Sequence, residues 1–267
     1  MKILVIGGSG FLGSKLIGSL NRNSQSTYYQ NRIFPNQIQI DLGDGKSIKR
    51  CLIQAKPEVV FHCGGLTSTD FCEANPELAN RVNYFGTSEL LKGFDGKMIY
   101  FSTDYVFDGE SAPYDETAQT NPINQYGRTK LIAERKVLEK PQNLVVRVSG
   151  LYGINKHNNR FIDKLRNNMV IRVNKNLVST PTYIEDIIRA IPDLMQMSGL
   201  LHFSGEQSFS RYEFIERVVE TLGLNVEVIT QESNGIARRP KNSSLTSVYR
   251  LKKTPVDEAL KEMRSAI

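Results

Sequence analysis

The chain has 267 residues, 40% hydrophobic and 23% charged, enough for one large α/β domain, or one with a smaller appendage, and a sizeable core. No stretch approaches the roughly 18 apolar residues of a membrane span, and Met1 leads straight into an apolar segment, so no membrane, no signal peptide and a cytoplasmic location are expected. The net charge of +6 is spread over predicted helices without an aromatic-basic cluster, which argues against nucleic acid and for a solvated surface that helps steer an anionic ligand.

In chain order, residues 2–6 (KILVI) form a continuous apolar run, the pattern of a parallel strand buried on both faces. GGSGFLG follows and leads into a helix. Its glycines read as Gly7, Gly10 and Gly13 or as Gly8, Gly10 and Gly13. Either reading places a side-chain-free turn at a helix N-terminus, where backbone N–H groups can hold a pyrophosphate. The next strand is predicted at Thr27–Gln30. No carboxylate stands at its end, where one would take the adenosine ribose hydroxyls of NAD; the chain reads Gln30, Asn31, Arg32. Arg32 either pairs with a 2′-phosphate, which favours NADP(H) over NAD(H), or faces solvent in a loop. A short strand ending at Asp41, a helix over 47–55 and a buried strand within 57–65 come next. That strand ends in a small-residue bend where backbone can approach a cofactor. Residues 66–75 read as a loop, and a long helix begins near Pro76.

Residues 100–136 carry the chemistry. A strand over 97–102 ends at Ser102 and Thr103, and Tyr126 and Lys130 lie four apart on a predicted helix, hence on one face. A phenol beside an ammonium, with a hydroxyl from a strand end, is a proton-transfer device. On charge alone, the lysine should depress the tyrosine pKa from its usual value of about 10. The Tyr-x-x-x-Lys spacing recurs at Tyr152 with Lys156 and at Tyr249 with Lys253. Only Tyr126 is followed by apolar residues at helical spacing (Leu131, Ile132, Val137, Leu138); polar residues follow Tyr152, and Pro255 ends the segment of Tyr249. A further strand is predicted at 143–149.

This alternation of strands and helices predicts a doubly wound parallel sheet, with the site at the carboxyl ends of its strands. Beyond Gly150 the segments shorten, and the region reads as a smaller interleaved substrate lobe. The expected division is a dinucleotide-binding domain over 1–150, with 182–204 packing back onto it, and a substrate lobe from 151–181 and 205–267. Cys51, Cys63 and Cys72 lack CxxC spacing, and the histidines are scattered, so neither a disulfide nor a metal site is expected.

GGSGFLG, LTSTD (66–70), STDYVFDG, YGRTK, STPTY (179–183) and ARRPKNSSL (237–245) together resemble the extended short-chain dehydrogenase/reductases, an NAD(P)-binding Rossmann-fold superfamily, and within it the dTDP-4-dehydrorhamnose reductase family. The resemblance implies Thr103, Tyr126 and Lys130 as the catalytic set, acting with NADP(H) on the 4-keto group of a nucleotide-linked deoxysugar. Together with the glycine turn and Arg32 read above, it gives a cofactor set of Gly7, Ser9, Gly10, Phe11, Leu12, Gly13, Arg32, Asp41, Leu42, Cys63, Gly64, Gly65, Thr67, Tyr126 and Lys130. Thr67, Thr103, Asp104, Tyr105, Tyr126 and Arg239 fall at the substrate. Arg239 either meets the substrate diphosphate or pins the C-terminal lobe. A homodimer is compatible with the family. Two departures lie on the substrate side: Gly150 stands where the family often has Trp, and Asn176-Leu177 replaces Asp-Gln ahead of the Pro-Thr pair. The chain is also similar to the regulatory β subunit of methionine adenosyltransferase, in 202–213 and around His62 and Cys63, which implies an NADP-binding, non-catalytic alternative.

Overall fold

The computed structural model describes residues 1–20, 23–232 and 235–266. Seven strands form one sheet, in the order Gly199–His202, Leu144–Val148, Lys97–Thr103, Val59–His62, Ile3–Ile6, Ser24–Tyr28 and Ile38–Gln39. Every neighbouring pair is parallel. Alternate side chains of each strand serve opposite layers. Ile3, Val5, Val59, Phe61, Ile99, Phe101, Leu144 and Val146 meet the helices Phe11–Ser19, Ile184–Arg189 and Ile191–Gln196. Leu4, Ile6, Val60, Met98 and Val145 meet Gly45–Ala55, Gly86–Lys92 and Gln125–Leu138. A sheet with both faces covered explains why its strands read as unbroken apolar runs. The chain first builds outward from Ile3–Ile6 and then crosses to Val59–His62 on the other side. The strand order therefore reverses between these two, where a crevice opens at their carboxyl ends.

Residues 182–204 supply Ile184, Ile187, Ile191, Leu194, Leu201 and Phe203 to the first of these cores. A separate core joins the helices Arg160–Arg166, Arg211–Leu222 and Val256–Ser265 around Tyr152, Ile171, Phe214, Ile215 and Leu260. Its small parallel sheet pairs Val170–Val173 with Glu227–Thr230. Among the described residues no helix is long and apolar enough to cross a membrane, and no cluster of His, Cys, Asp or Glu could hold a metal ion.

Several boundaries differ from the sequence expectation. The second strand is Ser24–Tyr28, and the third is only Ile38–Gln39. The chain turns at Asp41, whose carboxylate accepts the Gly43 N–H at 2.7 Å, and Asp44 then caps the next helix. The stretch read as a loop contains the helix Thr69–Ala74, capped by the Ser68 hydroxyl. The helix predicted from Pro76 runs to Lys92, with a π-helical turn at Arg81–Phe85. π-turns cluster at functional sites, and this one carries Asn83.

Candidate active site

The glycine turn is built by close approach. Gly7 has φ +79°, a left-handed conformation that disfavours a side chain, and a Cβ there would lie 2.7 Å from the Gly64 nitrogen. A Cβ on Gly13 would lie 2.2 Å from the Gly7 carbonyl oxygen, so the helix can sit against the turn only if residue 13 is glycine. Gly10 caps the helix without a side chain, which leaves the N–H groups of Phe11, Leu12 and Gly13 without intrahelical partners. Adding a methyl at Gly13 should cost about 1–3 kcal/mol of local strain, or roughly tenfold or more in dinucleotide affinity if the turn gives way. Fluorescence titration of Gly13→Ala with NADPH checks this.

A groove of about 860 Å³ runs from this turn across the crevice, lined by Gly7, Ser9, Gly10, Asp41, Leu42, Cys63, Gly64 and Gly65 among others. Its size, its glycine cradle and the unbonded helix amides fit a dinucleotide. Phe11 and Leu12 present backbone only, since their side chains pack into the core. Ser9 donates to the Asn31 carbonyl at 2.6 Å and fixes the loop after the second strand. Gln30 and Asn31 line the groove. Arg32 does not: it is exposed, and its Nε donates to Phe34 O of its own loop at 3.2 Å. Arg81 lines the groove from the π-turn and donates to Gly43 O at 2.7 Å, a contact hidden from sequence reading by its 38-residue separation.

A second cavity, of about 450 Å³, abuts the groove: Leu66 lines the groove and the next residue, Thr67, lines the cleft. Thr103 and Tyr126 share its wall. Asn124 caps the Tyr126 helix by accepting the Gly127 N–H at 2.8 Å, and a Cβ at Gly127 would lie 2.1 Å from Tyr105 O, so this helix end is pressed onto the strand end. Lys130 is buried and lines neither cavity. Its ammonium is 2.7 Å from Phe101 O and 3.9 Å from the centre of the Tyr100 ring.

The electrostatics correct the expectation from charge alone. Burial raises the Tyr126 pKa above its usual value, and Asp104, Cys72 and Tyr105 add to the rise; hydrogen bonding to Thr103 opposes it. Desolvation, the largest cause, sets the direction of the shift, so the spacing to Lys130 does not decide it. Tyr126 is therefore a neutral phenol at pH 7, the form that donates a proton. Burial pushes Lys130 down to about 7, against the opposing pull of Glu134 and Cys63. If an anionic dinucleotide draws Lys130 into its charged form, binding above pH 7 should take up a proton. Calorimetry at pH 8 in buffers of different ionisation enthalpy should show that uptake in wild type and not in Lys130→Met.

Asn83 escaped the sequence reading. Its side chain is buried, accepts the Leu66 N–H at 2.7 Å, and donates to Leu66 O and Thr129 Oγ1, both at 3.0 Å. One amide thus ties the small-residue bend to the Tyr126–Lys130 helix. No local motif marks it, because all its partners are distant in sequence.

Of the other residues assigned to the substrate, Thr67, Asp104, Tyr105 and Arg239 all line the cleft. The Asp104 carboxylate is buried and accepts hydroxyls from Thr103 (3.1 Å), Ser149 (2.8 Å) and Ser243 (2.5 Å). It joins the strand end to the RRPKNSSL segment. Burial raises its pKa and these hydroxyls restrain the rise. The Tyr105 ring stands edge-on to that of Tyr126, centroids 6.2 Å apart.

The chain as a whole is similar to known proteins. A crystal structure of dTDP-4-dehydrorhamnose reductase from Bacillus anthracis in complex with NADP superposes with a TM-score of 0.86 at 27% identity, covering 100% of both chains. An orthologous reductase structure from Clostridium acetobutylicum gives 0.85 at 28% identity, over 100% of this chain and 99% of that one. Methionine adenosyltransferase 2 subunit beta of Xenopus tropicalis is 30% identical over 266 residues, 91% of this chain and 80% of its own length. The family model for the RmlD substrate binding domain matches residues 1–266, and with that match over an NAD(P)-binding Rossmann architecture, the chain belongs to the RmlD substrate binding domain family.

Proposed function

We propose that this protein is an NADPH-dependent oxidoreductase that reduces the 4-keto group of a nucleotide-linked deoxysugar, in the direction dTDP-4-dehydro-L-rhamnose to dTDP-L-rhamnose. The observation that carries the reading is the shared wall of Thr103 and Tyr126 in a cleft that abuts the dinucleotide groove, with Lys130 one turn along the Tyr126 helix. The bound dinucleotide supplies a hydride. Tyr126 gives its phenolic proton to the oxygen of the reacting carbon, and its burial keeps that proton in place at neutral pH. Thr103, whose hydroxyl donates to Asp104 in this structure, turns it to the same oxygen once substrate is bound. Lys130 anchors the cofactor side once charged. NADPH is preferred over NADH because the Bacillus anthracis relative holds NADP and because no carboxylate stands at Gln30–Arg32 to favour a ribose hydroxyl.

The test is a spectrophotometric assay of purified protein with NADPH and dTDP-4-keto-6-deoxysugars. Steady loss of nicotinamide absorbance supports the reading; tight NADPH binding with no turnover of any keto-sugar refutes it. The 30% identity to a methionine adenosyltransferase subunit favours a second reading, an NADP-binding regulatory subunit. That reading predicts co-purification with a methionine adenosyltransferase and indifference of the complex to Tyr126→Phe.

A further inference from the structure

Arg239 is the cation that sequence reading offers to the substrate diphosphate, but its fork is already engaged within the protein. Nη2 lies 2.5 Å from Asp70 Oδ2 and 3.1 Å from Thr69 Oγ1, and Nη1 donates to Ala237 O at 3.2 Å. Asp70 also accepts the Ala237 N–H at 3.0 Å. That backbone bond, together with Arg239, holds its carboxyl below the usual range. Asp70 belongs to the helix Thr69–Ala74, so the pair fastens the C-terminal segment around Arg239 to the dinucleotide half. As a pair it offers the cleft no net charge.

A second guanidinium faces the same cavity. Arg211 is exposed and opens the helix Arg211–Leu222, and its backbone N–H is bound to Leu177 O at 2.8 Å. Among the described residues no carboxylate forms an ion pair with it. Glu213, two residues on, turns back to the Ser210 N–H and completes a capping box instead. A cation at the positive end of a helix opposes the dipole, so helix stability does not account for it. Its charge reaches the Tyr105 phenol, whose ring touches that of Tyr126. Phe209, Phe214 and Leu177 supply an apolar wall beside it.

We propose that Arg211 is the specificity-determining cation that receives the diphosphate of a nucleotide-linked substrate in this cleft, and that Arg239 is a latch held by Asp70. A planar guanidinium can hold phosphate oxygens two at a time, and an unpaired one is available to do so. The inference rests on the nucleotide-sugar reading above.

Calorimetric titration of the NADP-loaded protein with dTDP, and with thymidine as the phosphate-free control, tests it. Arg211→Gln should weaken dTDP about tenfold or more, the scale of one lost charge-assisted hydrogen bond, and leave thymidine unchanged. Arg211→Lys should restore part of the loss. Arg239→Gln should lower the melting temperature and weaken dTDP less than Arg211→Gln does. Unchanged dTDP binding in Arg211→Gln, or a larger loss in a folded Arg239→Gln, overturns the assignment. Loss of dTDP binding in Arg211→Gln alongside no keto-sugar turnover in wild type sinks the reductase reading and leaves Arg211 standing. Normal turnover with an unchanged KM in Arg211→Gln does the reverse.

Discussion

Tyr126→Phe should lower kcat for keto-sugar reduction by about 10²–10⁴-fold, the range for loss of a positioned general acid, while NADPH binding persists. The substitution removes one oxygen and keeps the ring that packs edge-on against Tyr105. The phenol lies where Thr103, Asp104, Tyr105 and Cys72 all influence it. Removing it leaves the Thr103 hydroxyl to hold the substrate oxygen without a proton to give, so kcat and kcat/KM should fall together. The pH profile carries a second signature. With its pKa raised by burial, Tyr126 stays protonated through the neutral range, so no loss of acid catalysis from this group should appear below pH 9. A limb near pH 7 would instead report Lys130. Stopped-flow measurement of NADPH oxidation across pH separates the two.

The largest effect on stability should come from Glu134. This residue lies one turn beyond Lys130 on the same helix and is 1% exposed. It receives three hydrogen bonds from Arg147 on the strand Leu144–Val148, the shortest at 2.7 Å. Arg147 continues to His202 Nε2 at 3.2 Å and rests over Phe107. His202 Nδ1 faces the carbonyls of Tyr114 and Thr246, so the proton belongs on Nδ1 and Nε2 accepts from Arg147. Glu134→Ala strands the guanidinium in the interior and should cost about 3–5 kcal/mol, a drop in melting temperature on the order of 10 °C. The double variant Glu134→Leu with Arg147→Met should recover most of that loss, because a buried ion pair is often no better than apolar residues of similar size. Thermal melts of the single and double variants decide it. Equal destabilisation in both would mean that packing, not charge, is at stake.

The elements legible in sequence are those governed by local rules. Ile3–Ile6, Val59–His62 and Lys97–Thr103 announce themselves because burial on both faces demands unbroken apolar runs. The glycine turn is legible because close backbone approach excludes every other residue at Gly7 and Gly13. Context also separates the three Tyr-x-x-x-Lys pairs correctly: Tyr152 lies in a short strand and Tyr249 in a loop, while Tyr126 lies in the first turn of a helix. What could not be read depends on contacts between distant segments. Asn83, Arg81 and the Asp70–Arg239 pair find partners 17 to 169 residues away. The helix Val256–Ser265, beyond Pro255, is one more local element, burying Val256, Ala259, Leu260 and Met263 at amphipathic spacing. The sign of the Tyr126 shift is not legible in sequence, because charge pairing can be drawn from spacing whereas desolvation requires knowing what closes over the side chain.

The proposed chemistry has Tyr126 and Thr103 meet a carbonyl oxygen in the cleft while the hydride reaches its carbon from the groove. Single-turnover reaction of wild type with NADPH deuterated at the transferable position of the nicotinamide, read by mass spectrometry and NMR of the sugar, tests this most directly. The account predicts one deuterium at carbon 4 of the nucleotide-linked sugar, formed at least a hundredfold more slowly in Tyr126→Phe, the lower end of the general-acid range. An unlabelled sugar recovered beside fully retained, tightly bound NADPH would contradict it.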